Sequence, residues 1–440
     1  MKEKIITNTL PGFTELLPAE QIAFNKMLDI IRKAYEVFGF TPIDTPVLER
    51  ANVLLAKAGG ETEKQIYRFK KGQTDLAMRF DLTVPLARYV SEHYNNLVFP
   101  FKRYSLGKVY RGERPQAGRF REFYQCDIDV IGNEELNLRF DAEIPVIIYT
   151  IFKELGFEKF TISINNRKIF NGLFESLNIQ EQSAQVMQSI DKLEKIGEEE
   201  VRKELEKLSL PPESIKKIFK LLGLKGSCND VIDGLKKLEI KNEQFEKGTE
   251  EISEVTKYIK QFGVPENNFK INLTIARGLD YYTGTVYETK LDEYPEIGSV
   301  CSGGRYDDLV SEYISRKLPG VGISIGLTRL FDQLYKRGLI QIKSSTLTKV
   351  LILPMSEDTG YGLKLATKLR ENNVPVEISF AQNNIKKRLG YANKLGIPYV
   401  IFIGEDEVRD NTFFVKDMIS GEQIKINIED ISRAIKILNK

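Results

Sequence analysis

The chain has 440 residues, 42% of them hydrophobic and 29% charged, the composition of an ordinary soluble protein; that length exceeds what one hydrophobic core usually supports, so two or three domains are expected. Its 64 lysines and arginines stand against 62 aspartates and glutamates, a formal charge of +2 that excludes a global attraction to nucleic acid and leaves any RNA binding to a local basic face. A single histidine, His93, excludes a multi-histidine metal centre, and Cys126, Cys228 and Cys301 show no Cys-x-x-Cys spacing, so neither zinc nor a disulfide frame is expected. No apolar run approaches the roughly 18 residues of a membrane span. The segment Met1-Lys2-Glu3-Lys4-Ile5-Ile6 lacks the apolar stretch of a signal peptide, and a reducing cytoplasm fits.

Residues 18 to 38 space Ile22, Met27, Ile30, Ile31, Tyr35 and Phe38 along one face, which predicts an amphipathic helix ended by Gly39-Phe40-Thr41-Pro42. From about 98 to 131 the pattern changes to strands: Lys108-Val109-Tyr110 and Phe123 to Ile131 flank a long loop rich in Arg, Glu, Gln and Gly, a hairpin whose loop length points to function. A helix around 135 to 155 precedes a strand at Phe160 to Ile164. Between about 170 and 262 a Lys/Glu-rich stretch of helical period, with Val186, Ile190, Leu193, Val201, Leu205 and Leu208 on its apolar face, predicts a helical insertion. Strands resume at Asn268 and run to about 302, and residues 314 to 331 read as a glycine-bearing return into a helix. After Lys343-Ser344-Ser345 the order is strand (Val350 to Leu353), helix (361 to 371), strand (Val374 to Ile378), helix (383 to 395) and strand (Tyr399 to Ile403), which predicts a separate α/β domain at 346–440.

The segment from Ala276 to Glu288 sets Arg277, Asp280 and the pair Tyr281-Tyr282 beside Gly278 and Gly284, a mixture that core packing does not require. Tyr281, Tyr282, Thr283, Thr285, Val286 and Tyr287 are strand formers, and neighbouring tyrosines on a strand face opposite ways, so at least one ring can reach a cleft. A sheet edge decorated with aromatics is the alternative. Arg277 carries a planar fork of donors suited to a carboxylate or phosphate. No Gly-x4-Gly-Lys-Ser/Thr loop is present, since Gly107-Lys108 is followed by Val109, and Gly320, Gly322 and Gly326 miss the dinucleotide spacing.

This segment resembles a signature of the histidyl-tRNA synthetase family, and a second one follows at Ser302-Gly303-Gly304-Arg305-Tyr306-Asp307-Asp308. Three segments resemble the class II synthetase motifs in order: Thr45-Pro46-Val47-Leu48-Glu49, Tyr110-Arg111-Gly112-Glu113 through Arg121-Glu122-Phe123, and Gly326-Leu327-Thr328-Arg329-Leu330. The resemblance covers essentially the whole chain. It implies an α+β catalytic domain over 1–340, built on a mainly antiparallel sheet with flanking helices and a helical insertion, and an α/β anticodon-binding domain to which Lys386-Lys387-Arg388 would contribute; a solvated helix face is the other reading of that cluster.

The same resemblance implies a homodimeric ligase that joins L-histidine to tRNA(His) with ATP and Mg2+, and it assigns the residues. Arg111 would meet the α-phosphate, Glu113 the adenine amino group and Phe123 the adenine face, with Arg119 or Arg121 on the outer phosphates and Arg329 on the γ-phosphate. Asp81 and Thr83, with Leu82 between them, would hold the substrate ammonium. Gln125 and Asp129, four residues apart on one strand face, would line the histidine site with Tyr281 and Tyr282, and Gly303-Gly304 would bring backbone close to the imidazole. Arg277 would bridge the histidine carboxylate and the α-phosphate, and Gln116 would meet the tRNA acceptor end. The rival implied by the same fold is a catalytically inactive paralogue that regulates histidine biosynthesis; an RNA-binding protein without enzymatic activity or a synthetase for proline, threonine or glycine would lack these signatures.

Overall fold

The computed structural model describes residues 7–56, 61–114, 118–275, 281–308, 310–311, 313–342, 344–355, 359–381 and 384–438. The chain divides into two compact units, Met1–Thr14 with Met27–Arg337, and Glu15–Lys26 with Gly338–Lys440. The helix expected at 18 to 38 is Pro18–Val37.

In the first unit the strands are β1 (Thr41–Pro42), β2 (Leu48–Arg50), β3 (Arg68–Lys71), β4 (Thr74–Met78), β5 (Phe101–Tyr110), β6 (Glu122–Ile131), β7 (Phe160–Asn166), β8 (Phe269–Ile271), β9 (Thr285–Leu291), β10 (Ser299–Tyr306) and β11 (Gly320–Gly326). Among the described residues they form an eight-stranded sheet in the order β1-β5-β6-β11-β10-β9-β7-β8 and a small sheet in the order β2-β4-β3. Only the outer pairs β1–β5 and β7–β8 of the large sheet run parallel. The expected mainly antiparallel sheet is therefore present, and β5 and β6 form the hairpin read from the sequence, in register from Phe101↔Ile131 to Tyr110↔Glu122. The flanking helix Arg139–Glu154 buries Ile144, Ile147, Ile148 and Ile151 completely, an i, i+3, i+4, i+7 stripe.

Two stretches differ from the sequence reading. Residues 320 to 326, read only as part of a glycine-bearing return into a helix, form β11, a central strand between β6 and β10 that leads into the helix Leu327–Lys336. Glycine normally weakens a strand; here its lack of a side chain is what the packing uses. A Cβ on Gly322 would lie 2.2 Å from the Ile128 carbonyl oxygen and 2.3 Å from Asp129 Oδ1, and one on Gly320 would lie 2.4 Å from the Tyr306 ring. Tyr281 and Tyr282 precede β9 rather than belonging to it, so the alternation of a strand does not separate them and their rings meet edge to face at 5.0 Å.

The insertion is helical as expected. Its first and last helices, Arg167–Ser176 and Glu243–Gln261, pack so closely that a Cβ on Gly172 would lie 2.3 Å from the Phe245 nitrogen. Between them, Cys228–Lys236 starts on a capping box in which Ser227 and Asp230 satisfy each other's backbone N–H groups.

The second unit holds β12 (Val350–Pro354), β13 (Val376–Ile378), β14 (Tyr399–Ile403), β15 (Thr412–Asp417) and β16 (Gln423–Asn427) in the order β13-β12-β14-β15-β16. The first three are parallel; β15 and β16, which the sequence reading did not anticipate, add an antiparallel edge. Val350 and Ile352 pack into one core cluster, Leu351 and Leu353 into another. A strand covered on both faces loses the polar alternation, which is why Val350 to Leu353 reads as an unbroken apolar run.

Candidate active site

A cavity of about 440 Å³ opens over the middle of the large sheet, floored by β6, β11 and β10. The hairpin brings its floor into place. Gln125, Asp127 and Asp129 alternate on β6 and so share one face, and all three line the cavity and are buried. The cross-strand partners of Asp129 are Arg103 on β5 and Gly322 on β11; those of Asp127 are Ser105 and Ser324.

Arg103, fully buried, forms an ion pair with Asp129, and its Nη2 also donates to the Leu82 carbonyl at 3.3 Å. Tyr306 donates its hydroxyl to Asp129 Oδ1 at 2.8 Å. Ser324 donates to Asp127 and accepts from Gln125 Nε2 at 2.8 Å. Burial raises Asp81, Asp127 and Asp129, and nearby donors and arginines only partly offset it: Asp81 to about 6, against the Val84 N–H, Arg111 and Arg103; Asp127 to about 7, against Arg103; Asp129 to about 6, against Arg103. Of these three buried carboxyl groups only Asp129 is ion-paired among the described residues, which favours a ligand that brings N–H donors or positive charge to the acidic side of the cavity.

One wall is the turn after β4. Asp81 Oδ1 accepts the Val84 N–H, a free donor of the first turn of the helix Thr83–His93, at 3.1 Å, which places Asp81 and Thr83 on the cavity with Leu82 behind them. The turn hangs on Arg79, whose N–H donates to the Val47 carbonyl at 2.9 Å and whose guanidinium reaches Lys108 O at 2.9 Å and Asp44 Oδ1 at 3.1 Å. The Pro46 segment and the acidic turn are fixed together in this way.

The open end of the hairpin supplies the cationic wall. Arg111 donates from Nε to the Phe80 carbonyl at 3.0 Å and lies over the Phe123 ring at 5.1 Å. Glu113 and Arg119, 3.4 Å apart, also line the cavity. Arg121 does not: it donates to Glu113 O at 3.0 Å and to Pro11 O at 3.3 Å, tying the loop to the N-terminal segment. Thr328, at the start of the helix Leu327–Lys336, accepts the Tyr124 N–H at 2.8 Å, and the next residue, Arg329, reaches the cavity and donates to the Ile297 carbonyl.

Tyr281 and Tyr282 both face the cavity, and burial pushes both hydroxyls up, so they are neutral donors. The Tyr282 ring lies over Gly304, where a Cβ would come within 2.9 Å of it. Gly303 packs against β11 instead, 2.1 Å from the Gly322 carbonyl by the same measure, so neither glycine lines the cavity. The tyrosine pair is fastened just downstream: Thr283 N–H donates to Arg305 O at 2.8 Å and Thr283 Oγ1 to Asp307 Oδ2 at 2.6 Å. Arg305 is itself anchored on the buried Asp141, which accepts from Arg305 Nη2 at 2.6 Å and from Thr285 Oγ1 at 2.7 Å. Arg277 and Gln116 lie outside the described residues. His93 ends its helix half-exposed, its ring 4.6 Å from that of Tyr89, and does not line the cavity.

The structure therefore gathers Asp81, Thr83, Arg111, Glu113, Arg119, Phe123, Gln125, Asp129, Tyr281, Tyr282 and Arg329 on one cavity. It adds Asp127, Ser302, Tyr306 and Ser324 as further lining, and Arg103 beneath the floor as the partner of Asp129. Period two along β6 marks Asp127, and Tyr306 stands inside the second signature. Nothing local marks Ser324 or Arg103.

An antiparallel sheet with an arginine-bearing hairpin on one side and a glycine strand running into an arginine-bearing helix on the other is the catalytic architecture of a class II aminoacyl-tRNA synthetase. The comparisons agree. A family model described as histidyl-tRNA synthetase matches residues 12–330 and one described as anticodon binding domain matches 349–438. A histidine–tRNA ligase of Clostridium tetani is 58% identical over 438 residues, covering 99% of this chain and 100% of that one, and a ligase of the same name from Clostridium acetobutylicum is 51% identical over 432 residues, covering 98% and 100%. The crystal structure of a histidyl-tRNA synthetase from Nostoc superposes with a TM-score of 0.90 at 44% identity, covering 99% of this chain and 100% of that one. This chain belongs to the histidyl-tRNA synthetase family. A Bacillus halodurans protein titled as an ATP phosphoribosyltransferase regulatory subunit/histidyl-tRNA synthetase shares the fold at a TM-score of 0.75 and 20% identity, covering 88% of this chain and 97% of that one.

Proposed function

We propose that the protein is a histidine–tRNA ligase: with ATP it activates L-histidine to histidyl-adenylate, releasing diphosphate, then transfers histidine to the 3′ end of tRNA(His), releasing AMP. The observation that carries this reading is the meeting, in one cavity, of an acidic floor on β6 and an arginine-bearing hairpin end. The regulatory paralogue needs no such adenylation site. The test is ATP–pyrophosphate exchange with each amino acid in turn, followed by charging of tRNA(His); exchange driven by another amino acid, or none, refutes it.

In this reading the adenine stacks on Phe123 with Glu113 at its amino group, and Arg111 and Arg329 hold the phosphates. ATP enters as its magnesium complex, the metal belonging to the substrate. Of the two candidates for the outer phosphates, Arg119 is the better placed, because Arg121 is spent on the Glu113 and Pro11 carbonyls. Asp81 and Thr83 take the ammonium, with Leu82 setting the turn. Gln125, Asp129, Tyr281 and Tyr282 read the imidazole, with Gly303 and Gly304 seating Tyr282 and β11. The attacking carboxylate is already ionised, so no base is required; positioning and charge neutralisation carry the rate. Arg277 is proposed to bridge carboxylate and α-phosphate, and Gln116 to meet the acceptor end.

The tail, 346–440, is proposed to bind the anticodon and 1–340 to catalyse. Of the basic cluster, Lys386 and Lys387 are exposed, whereas Arg388 turns inward and donates to Pro354 O at 2.9 Å, so only the lysines are available to RNA. Deleting the chain beyond about 345 is expected to leave histidine-dependent exchange and to depress tRNA charging sharply; charging at the intact rate would remove the tail from RNA binding.

A homodimer is proposed on the Pro46 segment. Leu48 and Phe69 are each 43% exposed on the two edge strands of the small sheet, apolar side chains set among the exposed Arg50, Arg68, Lys70 and Lys71. Light scattering at micromolar concentration is expected to give twice the 50.4 kDa chain mass; a fully active particle of one chain would rule it out. A cytoplasmic location is proposed as well: the three cysteines are buried and free, and among the described residues no helix is long and apolar enough to cross a membrane.

A further inference from the structure

The buried acids of the floor are not equally engaged. Asp129 meets Tyr306 on one carboxylate oxygen and Arg103 on the other. Asp127, one step along the same face, has a single partner, Ser324, and its Oδ1 is buried with no hydrogen bond from any described group. Its side chain lines the cavity and the residue is 2% exposed. A carboxylate oxygen left without a donor in a buried setting is costly, a cost that a ligand bearing an N–H group would offset.

The position of Asp127 indicates which part of the ligand that is. The acidic turn that carries Asp81 packs over β5, where Arg103 touches Leu82 O and Arg111 touches Phe80 O. Tyr282 lies over Gly304 on β10, the far side of β11. Asp127 stands between those strands on β6; its own row across the sheet, Ser324 and then Ser302, runs beside the Asp129–Gly322–Gly304 row over which Tyr282 lies. An amino acid whose ammonium sits at the Asp81 turn directs its side chain across Asp127 toward Tyr282.

We propose that Asp127 is a further specificity-determining residue, its Oδ1 accepting a ring N–H of the substrate imidazole while Ser324 holds its other oxygen and Arg103 and Tyr306 keep Asp129 in place beside it. The assignment rests on the reading of this cavity as the histidine site. It divides the work between the two aspartates of this face: Asp129, held by Arg103 and Tyr306, lends charge beside the ring, and Asp127 supplies the unpaired acceptor. A ring of the same size without an N–H would leave Asp127 unpaired, which is the kind of penalty that yields strong discrimination.

The test uses the full chain with Asp127→Asn, which keeps shape and removes the charge. Histidine KM in ATP–pyrophosphate exchange is expected to rise about 10- to 100-fold while ATP KM stays within about twofold. The decisive probe is β-(2-thienyl)alanine, whose five-membered ring has no N–H: its inhibition constant should stay where it is or fall, so that the preference for histidine over this analogue narrows by the same factor. Ser324→Ala, which leaves the acid but frees it to turn, is expected to give a smaller shift in the same direction and keeps the question open to measurement if the asparagine variant does not fold. Equal weakening of histidine and the thienyl analogue would make Asp127 structural and overturn the proposal, as would an unmoved histidine KM. A wild-type chain that exchanges with no amino acid, or with another one, overturns instead the histidine reading on which the proposal stands.

Discussion

Arg277→Ala is expected to slow histidyl-adenylate formation about 100- to 1000-fold, equivalent to ~2.7–4 kcal/mol, the usual loss when one preorganised donor to a charged transition state is removed. The proposed role dictates which step suffers. The histidine carboxylate approaches an α-phosphate of like charge, and a guanidinium touching both gains most where negative charge is most concentrated, so the rate should fall more than histidine binding weakens. Transfer from preformed adenylate to tRNA involves no such encounter and should change much less. Arg277→Lys should restore only part of the loss, because a point charge does not span two acceptors as a planar fork does. Single-turnover measurement of the two steps checks this: equal slowing of both, or an effect limited to histidine KM, would reduce Arg277 to a binding or structural residue.

The second large effect is on stability. Asp141 is fully buried and accepts from Arg305 and Thr285, while its backbone carbonyl accepts the Tyr287 hydroxyl at 2.8 Å. Asp141→Ala leaves the buried Arg305 guanidinium, among the described residues, with the Leu136 carbonyl alone, at 3.1 Å, and is expected to cost about 3–5 kcal/mol. Replacing both partners, Asp141→Leu with Arg305→Met, should recover most of that loss, since a buried pair is stabilising mainly in comparison with half of itself. Urea unfolding of the two single variants and the double variant decides the matter; a double variant as unstable as the sum of the singles would show that the pair is not a unit. Arg305 also receives the Thr283 N–H that fixes the tyrosine pair, so the single variant is expected to raise histidine KM as well.

The parts of this molecule legible in its sequence are those governed by local periodicity. Alternation along β6 put Gln125 and Asp129 on one face, and the helical period of the insertion located its buried stripe. The same alternation includes Asp127, which family resemblance had not singled out. What escaped was decided by distant partners. Arg119 and Arg121 are equivalent by spacing, and only the passage of the N-terminal segment beside the loop draws Arg121 to the Pro11 carbonyl. Arg103 and Asp129, 26 positions apart in the hairpin by its register, become partners only when the strands pair. Strand β11 was hidden for a different reason: its glycines read as part of a return into the following helix, and their purpose is visible only once the Tyr306 ring and the Asp129 carboxylate rest on the bare backbone.

That glycine strand constrains any redesign of substrate choice. Where a pocket is floored by side chains, its depth is altered one substitution at a time. Here the floor beneath Asp129 and beside Tyr306 is main chain, and even the smallest addition at Gly320 or Gly322 would collide before it reached a ligand. Selection for a different amino acid would have to act through the side chains around these glycines, at Asp127, the Asp81 turn and the tyrosine pair, because the bare backbone itself offers no conservative variants to sample.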